Sequence, residues 1–250
     1  MAAGARASDT HPVPRPDPGR GTAPRRGRTL GGRTLLVTVA VGLVLLVVVR
    51  ALVAQSFYVP SGSMEPTVEP GDRLVVNKLV RADDLRRGDV VVFDGTTTFA
   101  AADRTPAADR GAVGEALSSA ASALGIDLGE QDFLKRVVGL PGDHVVCCSP
   151  EGRLVVNGVA VTETYVPRGA KASDVTFDVT VPAGRMWVLG DNRPLSSDSR
   201  AHLGDPGGGM VPIDDVIGRA SVIYWPLSRA GGVPGSGALR SVPAPTGGGS

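Results

Sequence analysis

The sequence predicts a mainly β protein, its antiparallel sheets closing into a barrel or sandwich, preceded by one N-terminal transmembrane helix. Two observations carry this. A single strongly apolar run, residues 35–49, becomes long enough to cross a bilayer when extended to residue 54. Beyond it the chain breaks into short apolar segments punctuated by Gly-Asp and Asn-Gly turns. With 34 glycines, 20 prolines and only 4% aromatic residues, that is the pattern of many short strands joined by tight turns.

In chain order, residues 1–33 come first. Pro12, Pro14, Pro16, Pro18, Gly19, Gly21, Pro24 and Gly27 interrupt any periodic element and predict a disordered cytoplasmic tail. Arg20, Arg25, Arg26, Arg28 and Arg33 stand just ahead of the apolar run. Basic residues on that flank hold an N-terminus in the cytoplasm and send the following domain outside. Residues 34–54 then form the anchor, since roughly 20 residues at ~1.5 Å each match a ~30 Å hydrocarbon core. Arg50 near its far end can snorkel to the headgroups. A cleaved signal peptide is the competing reading. The run is longer than a usual signal-peptide core, and no clean small-x-small site follows at once. The expected location is the plasma membrane, single-pass and in contact with lipid.

Residues 55–225 form the predicted extracytoplasmic domain. Candidate strands are 73–77, 89–93, 134–139, 144–148, 154–157, 159–162, 176–181, 185–189 and 217–225. Asn157-Gly158 between two apolar triplets is a two-residue hairpin signal. Residues 95–131 read as an Ala-rich insertion, with Leu117, Ala121 and Leu124 at helical spacing and Gly125 as a stop. Residues 226–250, rich in Pro, Gly and Ser, read as a disordered C-terminal tail. With 26 basic and 25 acidic residues there is no global case for nucleic-acid binding, and no nucleic acid is expected as a partner. Cys147 and Cys148 are adjacent in a predicted strand, so they should face opposite ways and stay unpaired. No metal-ligand spacing is visible, and neither metal nor cofactor is expected.

Three stretches carry chemistry. Pro60-Ser61-Gly62-Ser63-Met64-Glu65-Pro66-Thr67 is a stiff loop holding two serines close to the membrane's outer surface. Lys135 lies inside the apolar strand at 134–139, where desolvation lowers an amine's pKa. The other lysines are Lys78 and Lys171; the chain otherwise uses arginine, which cannot deprotonate. Residues 190–200 are a dense polar loop following an apolar strand. Taken singly, each has a plain alternative: an ordinary turn, an edge-strand lysine reaching water, a solvated loop. His11 falls in the tail, and neither His144 nor His202 sits in a recognisable Ser-His-Asp motif.

Taken together and in order, the motifs resemble those of type I signal peptidases. They are Ser-x-Ser-Met-x-Pro-Thr at 61–67, Gly-Asp-x-x-x-x-x-Lys at 71–78, Lys-Arg-x-x-Gly-x-Pro-Gly-Asp at 135–143 and Gly-Asp-Asn-x-x-x-Ser-x-Asp-Ser-Arg at 190–200. The resemblance covers about residues 55–225 and implies the signal-peptidase β fold. It implies a metal-free serine endopeptidase that removes signal peptides of secretory preproteins after small-x-small sites, near the secretion translocon. Ser63 is then the nucleophile and Lys135 the general base, with the oxyanion held by the Ser63 N–H and the Ser61 hydroxyl. Ser196 orients Lys135, and Asp198 and Arg200 support the site as a pair. Phe57, Val59, Met64, Val68 and Leu134 line shallow pockets for small side chains. The rival classes are a catalytically silent, membrane-tethered binding or assembly module and a related Ser–Lys peptidase with a specialised substrate.

Overall fold

The computed structural model describes residues 31–99 and 132–245, with residues 47–52 described by their backbone alone. The tail up to Leu30 and most of the expected insertion lie outside the described residues. The chain divides between Val41 and Gly42, and every strand belongs to the second unit. Helix α1 (Gly32–Leu52) has 21 residues, and its described side chains are exposed. Among the described residues, whose side chains in α1 end at Leu46, no helix is long and apolar enough to cross a membrane. Ala54 does not continue the helix: β1 (Ala54–Tyr58) begins there.

Among the described residues, twelve strands follow the expected antiparallel pattern. After β1 come β2 (Arg73–Asn77), β3 (Val90–Asp94), β4 (Asp132–Gly139), β5 (His144–Cys147), β6 (Leu154–Val156) and β7 (Val159–Ala160). The rest are β8 (Phe177–Thr180), β9 (Arg185–Leu189), β10 (Val211–Pro212), β11 (Val216–Trp225) and β12 (Gly231–Gly232). The larger sheet runs β1-β2-β11-β3-β4-β9-β10, with β12 added on β11; the smaller runs β7-β6-β5-β8. β11, ten residues long, pairs with β2, β3 and β12. β3 is buried on both faces, which explains its unbroken apolar run. Val90 and Val92 enter one core cluster, and Val91 and Phe93 another. The predicted hairpin forms between β6 and β7, where Asn157 and Gly158 both have positive φ, 49° and 78°. That is the backbone an Asn-Gly pair tolerates best.

Two expectations are corrected. The stretch after Trp225 is not a loose tail over its described part. β12 pairs with β11, and the short helix α2 (Gly237–Arg240) buries Leu239 completely and is followed by buried Val242. Glycine and proline richness hid two apolar anchors that dock beside Trp187 and Leu189. Cys147 and Cys148 are joined in a disulfide across a cis peptide bond. The alternation argument fails there because β5 ends at Cys147, so Cys148 lies beyond the pleat.

Candidate active site

The loop after β1 and strand β4 meet at the serine and lysine that the sequence singles out. Lys135 Nζ donates to Ser63 Oγ at 2.9 Å and to the Leu134 carbonyl at 3.2 Å. Both side chains are buried, Lys135 to 3% exposure. Burial is the largest influence on the amine and pulls its pKa from 10.5 down to about 8. The Asp198 and Asp191 carboxylates push it back up in part, and Arg200 adds to the lowering. Near neutral pH such an amine exists partly as the free base, which an ordinary lysine does not. Ser61 Oγ lies 3.4 Å from Ser63 Oγ, so three of the chemistry-bearing groups share one point.

The serine is held from behind by the loop that follows β9. The Asn192 N–H donates to the Ser63 carbonyl at 3.1 Å, and the Asn192 side-chain amide donates to the Gly62 carbonyl at 3.0 Å. Gly190 makes this approach possible. A Cβ there would meet Ser196 Oγ at 2.1 Å and the Ser63 carbonyl oxygen at 2.5 Å. Asp198 accepts from the Gly190 N–H at 3.0 Å and from Arg200 at 2.8 and 2.7 Å, so the expected acid–base pair is present. Burial acts to raise the Asp198 pKa, but the Arg200 contacts and the Gly190 N–H outweigh it and hold the carboxyl below its usual range.

Ser196 is placed differently from the expectation. Its hydroxyl is buried and makes no hydrogen bond to Lys135; it has no partner of good geometry, though it lies near enough to Asp198 to help lower that carboxyl. The Leu134 carbonyl takes the place expected of it as the second acceptor for the lysine. Phe57, Val59, Met64 and Val68 do share one apolar cluster, with Leu134 packed on it. Met64 and Val68 are fully covered, while Leu134 stays half-buried. His202 links Ser197 at 3.2 Å to Asp205 at 2.7 Å within one short stretch of chain, a contact the sequence reading overlooked. It is Lys135, however, that meets Ser63.

A second charged layer supports the first, and most of it was missed. Arg136, next to the lysine, pairs with Asp191 through two hydrogen bonds of 2.8 and 2.6 Å, both side chains at 0% exposure. Thr67 donates its hydroxyl to the same carboxylate and so ties the serine loop to it. The Arg136 guanidinium lies 4.1 Å from the centre of the Tyr165 ring; Tyr165 donates to Glu163, and Glu163 pairs with Arg193. Arg193 in turn donates to the Gly190 carbonyl. The signal for Arg136 and Asp191 lay within the quoted motifs, but the pairing spans 55 residues and needs the strand register to be seen. Glu163 and Tyr165 lie outside the motifs and gave none.

The comparison that decides the family is a match over residues 32–225 to the model described as "Signal peptidase, peptidase S26". The chain belongs to that family. A probable signal peptidase I of Mycobacterium leprae is 36% identical over 238 residues, covering 84% of this chain and 81% of its own. Signal peptidase I of Mycobacterium tuberculosis (strain CDC 1551 / Oshkosh) is 37% identical over 229 residues, covering 83% and 77%. The Leptolyngbya laminosa signal peptidase I is 36% identical, covering 78% and 80%. The four motifs and both members of the buried serine–lysine contact lie inside the family match.

Proposed function

We propose that this protein is a membrane-anchored serine endopeptidase that removes signal peptides from exported preproteins, with Ser63 as nucleophile and Lys135 as general base. The observation that carries the reading is the 2.9 Å contact between a buried lysine of pKa about 8 and a serine hydroxyl. Neutral Lys135 accepts the Ser63 proton as Oγ attacks the scissile carbonyl carbon, forming a tetrahedral oxyanion. The Ser63 N–H and the Ser61 hydroxyl are assigned to that oxygen, and each such donor contributes about 3 kcal/mol in the transition state. The lysine then gives its proton to the leaving amine as the C–N bond breaks. A water, deprotonated by the same amine, releases the acyl group from Ser63.

Substrate choice follows from the cluster around Ser63. Phe57, Val59, Met64, Val68 and Leu134, gathered in one apolar cluster, are the residues that the family resemblance assigns to shallow pockets, which suit Ala, Gly or Ser beside the scissile bond. Signal peptides carry small residues at those positions and arrive as membrane-embedded segments. The apolar residues 35–49 and the arginines ahead of them support an anchor formed by α1 (Gly32–Leu52), with the N-terminus in the cytoplasm and the catalytic domain outside. Ser61 follows soon after α1 in the sequence, which supports a site close to the surface where such substrates emerge. Purified full-length protein should cleave an Ala-x-Ala peptide, and Ser63→Ala and Lys135→Arg should both abolish it. Lys135→Arg keeps the charge but cannot supply a neutral amine. Retained cleavage by that variant would overturn the reading.

A further inference from the structure

The family match ends at Trp225, yet the chain beyond it touches the catalytic framework at two points. The first is Arg229. It donates to Asp72 at 3.1 and 3.2 Å through Nε, to Glu69 at 2.7 Å and to the Thr67 carbonyl at 3.5 Å. Those acceptors belong to the same loop as Ser63, and Thr67 is the residue that reaches Asp191. The second is the turn before α2. The Pro234 carbonyl accepts from Arg136 Nη1 at 3.1 Å, and the Gly88 carbonyl accepts from the same nitrogen at 2.8 Å and from the Ser236 N–H at 3.2 Å. Arg136 follows Lys135 directly in β4.

The segment is fastened by further contacts beyond these. Leu239 and Val242 are buried in the core, and the Ser236 hydroxyl caps α2 by accepting from the Leu239 N–H. Arg240 pairs with buried Asp89 at 2.7 Å. Arg87 donates to the Val242 carbonyl at 2.6 Å. A segment anchored at its far end and applied to the serine loop at one point and to the lysine's neighbour at another fixes their separation.

We propose that residues 229–242 are a positioning brace for the serine–lysine pair, with Arg229 and the Pro234–Ser236 turn as its two points of action. The proposal rests on Lys135 and Ser63 being that pair. Relaxing the brace lets the serine loop and β4 drift, which lengthens the Ser63–Lys135 contact and admits water to the amine. Water reduces the desolvation that holds the lysine near 8, so its pKa moves up toward 10.5.

The test uses the full-length chain carrying Arg229→Ala, Arg229→Lys or Ser236→Pro, which removes both the N–H that binds the Gly88 carbonyl and the hydroxyl that caps α2, with Ser236→Ala, which removes the hydroxyl alone, as the control expected to keep wild-type kcat. Each is assayed for kcat, KM, thermal unfolding and the pH profile of kcat/KM on an Ala-x-Ala peptide. Arg229→Ala and Ser236→Pro are expected to lower kcat roughly ten- to a hundredfold, the scale of a small misplacement of reacting groups, with KM nearly unchanged. Ser236→Pro is further expected to move the ascending limb of the pH profile to higher pH, and Arg229→Lys to recover part of the Arg229→Ala loss. Wild-type kcat and an unmoved limb in folded Arg229→Ala and Ser236→Pro overturn the brace, as does a loss confined to one of its two points. Lys135→Arg is run alongside: if it is inactive while the brace variants are normal, only this inference fails, and if it is active the dyad itself fails.

Discussion

Replacing Lys135 by methionine should change how stability depends on pH, by an amount the structure sets. The amine titrates near 8 in the folded protein and near 10.5 when exposed. Below about pH 8 both states are charged, and the folded one bears the whole burial penalty, about 3 kcal/mol for a shift of this size. Between about 8 and 10.5 the unfolded chain holds a proton that the folded one has released. Stability therefore climbs with pH there, at up to ~1.4 kcal/mol per unit. Methionine fills similar space without a charge. The stability advantage of Lys135→Met over wild type should thus be about 3 kcal/mol larger at pH 7 than near pH 10.5. Urea unfolding of both proteins in detergent across that range measures it, since every other titrating group cancels in the difference. A difference that does not change with pH would show that Lys135 is solvated like a surface lysine, and the argument for a neutral base would collapse.

Three further outcomes follow from the surrounding network. Asp191→Asn leaves Arg136 charged at 0% exposure without its counter-ion, and should destabilise the fold by about 3–5 kcal/mol in chemical denaturation. Gly190→Ala drives a Cβ into the Ser63 carbonyl and Ser196 Oγ, so kcat should fall at least about a hundredfold while the circular dichroism spectrum stays native; wild-type turnover would mean that the 2.5 Å approach is not needed. Asn192→Ala removes the amide held by the Gly62 carbonyl and should lower kcat by about tenfold with little change in KM, as steady-state kinetics on a short peptide would register.

Legibility in the sequence followed the range of the forces involved. The Asn157-Gly158 hairpin is decided by two residues' own backbone preferences, and it forms where expected. β3 and β9 were visible because burial on both faces demands unbroken apolar runs. Ser63 and Lys135 could be named from their motifs, and the lysine's apolar neighbours already implied a lowered pKa. What brings them within 2.9 Å is the register of β4 between β3 and β9 together with the grip of Asn192 on the serine loop. No local pattern encodes that. The same reason hid the Arg136–Asp191 pair and the Tyr165–Glu163–Arg193 chain, whose members meet only after folding. Composition misled at the C-terminus, where two apolar side chains among glycines and prolines were enough to dock the segment. At Cys147 and Cys148 a rule for strand interiors was applied one residue past a strand's end.

The pH dependence of kcat/KM on an Ala-x-Ala peptide tests the central claim most directly. Catalysis by neutral Lys135 requires activity that rises with pH through an apparent pKa of about 8, keeps that limb in His144→Ala and His202→Ala, and vanishes at every pH in Lys135→Arg. A limb near 6.5 that shifts or disappears when either histidine is replaced would contradict it and return the role of base to an imidazole.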